Sequence, residues 1–504
     1  MTVFKLLKNT PLVGLLLLII AYVLSPLFHY QLGPGGFNDQ RFLLLLFGAV
    51  CLLSTVLIPR YRHYFFSFLL QFHPQVSFIL LFFFIATMVS SVNAAYTLRA
   101  LQEVGLYATL MIAVICLTYE LKQLGEERLR YLLVVSLGAF LVIYALHFAI
   151  YYGSIYGADP TRFSDNNRWM PNFYNRRSFN QTQVWLLPAF FWLCWQMSGR
   201  SKALRITCYG LTALWWVMLF FSHGRGIGLA LLASTLGVAL LFQTRSLPLL
   251  KPAIITLIAG VVLYGLMFLV PPYWLDGEFN DTYLHRVASM HSGGRIPLWE
   301  AALDIFLQYP LFGGGPQHYS FYQGRSGHAH NMLLNYLAEL GLLGTIPIVL
   351  LITHGLSSMI KNTLKRCSEM NLMLVYCFLA AAVYSQFTAQ LYFPVAQMLL
   401  ILFVALALNE NLHKNCQQAS STNPLQTTTA TRSIQSMVCA LALVCLLVSS
   451  YDVVNHPYFL YQVAHQNHPR FWLNGNFHRY PHRVLLPNVV NCKVNERAPD
   501  FSCH

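Results

Sequence analysis

Apolar runs close to the length of a bilayer crossing recur along almost the whole chain, from residues 11–27 to residues 436–450. A hydrocarbon core about 30 Å thick takes about 20 residues of helix to cross, and inside it every backbone N–H and C=O must find a partner within the protein. A chain with this pattern folds as packed helices with the bilayer as its solvent. Of its 504 residues 56% are hydrophobic and 10% charged, against about a quarter charged in soluble domains. No stretch between the runs is long enough for a large soluble domain. Membrane lipids are therefore expected partners and nucleic acid is not.

Hydropathy predicts about thirteen spans, at residues 11–28, 42–58, 76–93, 101–119, 131–150, 184–197, 206–221, 227–243, 252–270, 332–354, 370–386, 396–409 and 434–451. Lys5 and Lys8 before the first run resemble the start of a signal peptide. Further spans follow and no small-residue cleavage site is clear, so the run is read as a span. With the N-terminus in the cytoplasm, the inside loops hold Lys5/Lys8, Arg60/Arg62, Lys122/Arg128/Arg130, Arg200/Lys202/Arg205, Arg245/Lys251, Lys361/Lys365/Arg366 and Lys414/Arg432. That is the cation bias expected of cytoplasmic loops. An odd number of spans then exports the tail. The expected organisation is a transmembrane domain over residues 1–451, with site-building exported loops at 151–183 and 271–331, and an exported tail at 452–504. The stretch 415–431, rich in Ser, Thr, Gln and Asn, reads as a linker before the last span.

Cations are also sorted by type. On this topology Lys493 is the only exported lysine, whereas exported arginines are many. Arginine presents a planar fork of donors that pairs bidentately with phosphate or carboxylate, and lysine is a compact point charge. Snorkelling at the interface is the alternative use of such residues. Of the eleven cysteines, Cys51, Cys116, Cys194, Cys208, Cys377, Cys439 and Cys445 fall in spans, where a thiol acts as a small apolar side chain. Cys492 and Cys503 lie in the tail and could pair if it meets an oxidising compartment.

The chemistry-bearing residues gather at the predicted exported ends. Residues 296–308 place Leu298, Ala301, Ala302 and Ile305 at helical spacing, which predicts an amphipathic surface helix with Arg295 just ahead of it. Gly313-Gly314-Gly315-Pro316 then breaks the helix. The chain re-enters the membrane through Gly327-His328-Ala329-His330-Asn331, before a long span containing Glu339. A neutral imidazole at a span mouth can take a proton from a hydroxyl; it can equally cap the helix. Arg225, in Ser222-His223-Gly224-Arg225-Gly226, sits between two spans, where a cation needs a carboxylate or phosphate partner. Arg176-Arg177-Ser178-Phe179-Asn180-Gln181 offers either further phosphate contacts or a membrane anchor. Glu339 lies more than two turns beyond His330 along the predicted span, too deep for the base, and fits better as a group that orients a polar neighbour. No exported Asp-x-Asp or carboxylate cluster offers the oxygen ligands of Mg²⁺ or Mn²⁺.

Taken together, Arg176–Gln181, the Ser222–Gly226 motif, Gly294-Arg295 with Trp299 and Ala302, Tyr309-Pro310-Leu311-Phe312-Gly313-Gly314-Gly315, and His330-Asn331 with Glu339, Gly341 and Gly344 resemble the O-antigen ligase superfamily. It includes lipid A-core O-antigen ligases, O-antigen polymerases and bacterial protein O-oligosaccharyltransferases. The resemblance covers about residues 172–347 and is most specific over 295–344. It implies an all-α integral membrane, polytopic helical bundle of GT-C-like type in the bacterial inner membrane. It also implies transfer of a glycan from undecaprenyl diphosphate to a hydroxyl, with no cofactor and no metal. The family histidine matches His330 better than His328, and the family arginines match Arg225 and Arg295. The implied roles are His330 as base and Arg225 and Arg295 on the diphosphate with Arg176 and Arg177 assisting. His328, Asn331, Glu339 and Asn180 support them.

Simple ligases are expected to end in the cytoplasm, and an exported tail departs from that pattern. A pilin-type or other protein acceptor is therefore expected ahead of lipid A-core, with polymerisation third. A polyprenyl-glycan transporter is the alternative from a different class, against which stands the gathering of polar residues at exported ends.

Overall fold

A computed structural model describes residues 10–24, 37–71, 74–156, 170, 173, 176–270, 294–322, 327–366, 368–416 and 429–455. The described residues form helices and turns with no strand, as expected for an all-α membrane protein. Among the described residues nine segments are long and apolar enough to cross a membrane, and one of them, Arg225–Leu269, contains two successive helices. Pro11–Leu24 and Glu369–Tyr384 are shorter apolar helices. Every predicted span coincides with a helix, so the pattern of elements is as expected.

Two helices form the interior. Thr97–Leu124 packs against Thr429–Asn455, Pro394–Cys416, Phe37–Leu57 and Pro74–Val92. Arg176–Gln196 packs against Glu369–Tyr384, Lys202–Phe221 and Leu247–Tyr264, and every residue from Ser178 to Cys194 is buried. Lipid-facing sides show the inverse pattern: Leu229, Leu232, Leu236 and Leu240 are exposed at helical spacing on the Arg225–Phe242 helix. Apolar side chains pointing outward at this period fit a hydrocarbon solvent.

Boundaries differ from expectation in two places that bear on the site. Residues 176–183 were expected at the end of an exported loop but form the first turns of the Arg176–Gln196 helix. Their polar groups are met by neighbouring helices: Gln181 Nε2 donates to Thr388 Oγ1 at 3.1 Å and Gln183 Nε2 to the Trp215 carbonyl at 3.1 Å. Residues 59–71, expected as a cytoplasmic loop, form the helix Pro59–Gln71, which buries Tyr61, Phe65, Phe68 and Leu69 at helical spacing. The predicted surface helix is present as Ile296–Gln308, with Ala301, Ala302 and Ile305 inward.

The two ends of the bundle differ in charge chemistry. Lys122, Lys202, Lys251, Lys361 and Lys365 lie toward one end, where Arg130 pairs with Glu369 at 3.7 Å and Arg245 donates to the Leu364 carbonyl at 2.7 Å. The opposite end carries Arg41, Arg99, Arg176, Arg177, Arg225 and Arg295. All the candidate site residues within the described chain belong to this arginine end.

Candidate active site at the arginine end

The turn between Lys202–Phe221 and Arg225–Phe242 is tied down from inside. The Ser222 hydroxyl donates to Asn180 Oδ1 at 2.8 Å, and His223 adopts a left-handed φ of 55°. A Cβ on Gly224 would lie 2.5 Å from Asn180 Nδ2, so only glycine lets the turn sit this close to the buried amide. Arg225 opens the next helix and is exposed. Its position at a helix N-terminus adds the positive end of the helix dipole to its own charge, a combination that attracts anions.

Arg295 stands at the N-cap of Ile296–Gln308, half-buried, with its guanidinium carbon 6.0 Å from the centre of the Phe387 ring. Burial holds its pKa below the ordinary arginine value, and the charge of Arg177 and then of Arg225 adds to this, opposed by Tyr384. Three cations from three separate elements therefore share one field. An anion entering among them relieves their repulsion, which is how phosphate sites of this kind gain affinity. Gly226 completes the link, since a Cβ there would meet Phe387 Cβ at 2.9 Å and Tyr384 at 3.5 Å. Arg176 and Arg177 occupy the first turn of their helix, Arg176 half-buried and Arg177 exposed.

The histidines form one unit. The His330 amide donates to His328 Nδ1 at 3.3 Å, and the two rings meet edge to face with centres 4.2 Å apart. Because Nδ1 accepts, the neutral His328 ring carries its proton on Nε2. His328 is buried and stacks on Tyr392 with 6.2 Å between centres. His330 is half-buried, with a left-handed φ of 53°. Asn331 caps the Met332–Arg366 helix by accepting from the Leu334 amide at 3.1 Å. Asn335 accepts from the Ala329 amide at 3.1 Å and donates to the Tyr392 hydroxyl at 2.7 Å.

Below this strap the Met332–Arg366 helix is broken at Gly341, which has φ 60° and ψ −164°. Four backbone groups left open by the break are met by the Pro310–Gly315 loop. Gly314 and Gly315 donate to the carbonyls of Ala338 and Glu339, each at 2.9 Å, while Leu342 and Leu343 donate to those of Pro310 and Leu311 at 2.9 and 3.0 Å. Glu339 is buried; its carboxylate accepts from the Tyr319 amide at 3.2 Å and its carbonyl also accepts from Ser90 Oγ at 3.0 Å. These contacts place it beside the glycine loop.

The sequence did not disclose the turn at 385–393, which joins both halves. Phe387 lies beneath Arg295, Thr388 meets Gln181, the Ser385 carbonyl receives the Met332 amide at 2.9 Å, and Tyr392 carries His328. Its signal in the sequence is Ser385, Gln386 and Thr388, polar residues around Phe387 at the end of a span. Cys492 and Cys503 lie outside the described residues. Among the described residues no group of three or more His, Cys, Asp or Glu side chains is placed to hold a metal ion.

Residues 210–349 match the family model described as O-Antigen ligase. The match supports the O-antigen ligase superfamily, the resemblance carried by the motifs, and with it a glycan-transferring membrane enzyme of the ligase type. It spans Arg225, Arg295, His328, His330, Asn331 and Glu339, whereas Arg176, Arg177, Asn180 and the 385–393 turn fall outside it. No curated protein matches the chain.

Proposed function

We propose that the chain is a thirteen-span, GT-C-like inner-membrane glycosyltransferase that moves a glycan from undecaprenyl diphosphate to an acceptor hydroxyl on the periplasmic side, with a protein such as a pilin as acceptor. The observation that carries the reading is the placement of Arg295 over Phe387, against which Gly226 of the Arg225 turn also packs, joined through the 385–393 turn to the His328–His330 pair. The positive-inside bias puts the lysine-bearing end in the cytoplasm and the arginine end in the periplasm.

In the reaction, Arg225 and Arg295 hold the diphosphate, with Arg176 and Arg177 assisting. His330 accepts the proton of the acceptor hydroxyl as that oxygen attacks the anomeric carbon from the face opposite the leaving group. The bond from that carbon to the diphosphate oxygen breaks with its electron pair, which the guanidinium groups stabilise, and the sugar configuration inverts. Charge neutralisation by arginine makes a metal unnecessary. His328 holds the His330 amide, Asn331 starts the helix behind it, Asn180 fixes the turn before Arg225, and Glu339 supports the glycine loop.

The alternative acceptor is lipid A-core, with a growing glycan third. Purified protein in nanodiscs with an undecaprenyl-diphosphate glycan, offered pilin and lipid A-core in separate reactions, distinguishes them. Glycosylated pilin is the expected product. Transfer to lipid A-core alone replaces the protein acceptor, and movement of the donor across proteoliposomes with no covalent product supports a transporter instead.

A further inference from the structure

We propose that Arg41 is a positioning residue for the transfer reaction, acting through Tyr392 on the His328–His330 pair; this rests on the functional reading above. Arg41 lies in the first turns of the Phe37–Leu57 helix, where Phe37, Asn38, Asp39, Gln40 and Arg41 are all buried. Arg41 itself is 1% exposed. A guanidinium buried at the edge of a membrane is costly to desolvate and is retained where its hydrogen bonds do something that a packed apolar side chain cannot.

Two of its hydrogen bonds converge on one place. Nη2 donates to the Tyr392 carbonyl at 2.6 Å, and Nη1 to Gln397 Oε1 at 2.5 Å. Gln397 Nε2 in turn donates to the Leu391 carbonyl at 2.6 Å. Arg41 and Gln397 thus satisfy two successive carbonyls that end the 385–393 turn, and Phe37 adds an edge-to-face contact to Phe393 with centres 5.5 Å apart. The fork geometry matters, because one planar group bridges a backbone carbonyl and a side-chain amide at once.

What this clamp holds is Tyr392. The Tyr392 ring supports His328, and its hydroxyl accepts from Asn335, whose other amide atom accepts from Ala329. His328 accepts from the His330 amide, and His330 has a left-handed φ that is uncommon for a non-glycine residue. Displacing Tyr392 therefore moves the histidine backbone, while Phe387, beneath Arg295, lies five residues earlier in the turn. A shift of about 1 Å at a reacting group can cost about 100-fold in rate.

The test compares Arg41→Lys, Arg41→Gln and Tyr392→Phe with the parent in nanodiscs. It measures kcat, the donor KM, donor-lipid binding and, by size-exclusion chromatography, the amount of folded protein. The expected result is a fall in kcat of about 10- to 100-fold for Arg41→Gln, a smaller fall for Arg41→Lys, and a donor KM within about threefold of the parent. Tyr392→Phe keeps the ring and loses only the hydroxyl, so it folds even if Arg41→Gln does not, and it is expected to lower kcat at unchanged donor KM. Variants whose kcat per folded molecule equals the parent's, or whose kcat loss only tracks a loss of donor binding, overturn the positioning role. A parent that transfers to no acceptor overturns the functional reading instead, and this inference with it.

Discussion

Gly313→Ala should be among the most damaging small substitutions in this chain. A Cβ at that position would lie 2.3 Å from the Glu339 carbonyl carbon, 2.4 Å from its oxygen and 2.5 Å from the Leu340 nitrogen. All three are backbone atoms, so no rotamer change relieves the collision. Gly313 also has φ +70°, which costs an alanine about 1–2 kcal/mol. Moving the loop away breaks the four bonds that close the gap at Gly341, each contributing about 0.5–1.5 kcal/mol. The sum, about 3–8 kcal/mol, is comparable with the whole stability of many proteins, about 5–15 kcal/mol. Thermal unfolding in detergent reads it against Gly355→Ala, an exposed position in the same helix with nothing within 4 Å. That control should gain about 1 kcal/mol from helix propensity. Gly313→Ala is expected to unfold well below the parent and Gly355→Ala at or slightly above it. Equal midpoints for Gly313→Ala and parent would refute the argument that the loop closes the broken helix.

Three further outcomes are expected. A reporter fused after His504 should register as periplasmic, and thiol labelling without reductant should miss Cys492 and Cys503; a cytoplasmic reporter removes the exported tail, while labelling of both thiols removes only the disulfide. Arg295→Lys keeps the charge over Phe387 but loses the fork, so donor affinity and turnover should both weaken, with Arg295→Ala worse, as measured by donor-lipid binding and transfer at equal expression.

The sequence was most legible where one helix face carries its own pattern. Ile296–Gln308 was readable because Ala301, Ala302 and Ile305 share a face and a glycine run ends it. The break at Gly341 was not, because a glycine within a long apolar run carries no sign of a distant loop that will accept the open backbone groups. Pro59–Gln71 was missed since its buried aromatics sit among cations that read as a loop. Of the site, the motifs at 222–226, 295 and 328–331 were visible because each is a local cluster of unusual residues at a span end. Arg41 was hidden because its partner Gln397 is 356 positions away. Thr388 and Tyr392 likewise meet Gln181 and Asn335 only after folding.

The proposed reaction depends on a division of labour between one histidine and the arginines, and one paired measurement reads both halves. Transfer and donor-lipid binding are measured in nanodiscs for His330→Ala, Arg225→Ala and the parent at equal amounts of folded protein. His330→Ala is expected to lose about 100- to 10,000-fold in transfer, the usual contribution of a general base, while binding the diphosphate-linked donor as the parent does. Arg225→Ala is expected to lose donor binding. Near-normal transfer by His330→Ala would contradict its role as base and move attention to His328, and unchanged donor binding by Arg225→Ala would contradict the electrostatic half of the mechanism even if its activity fell.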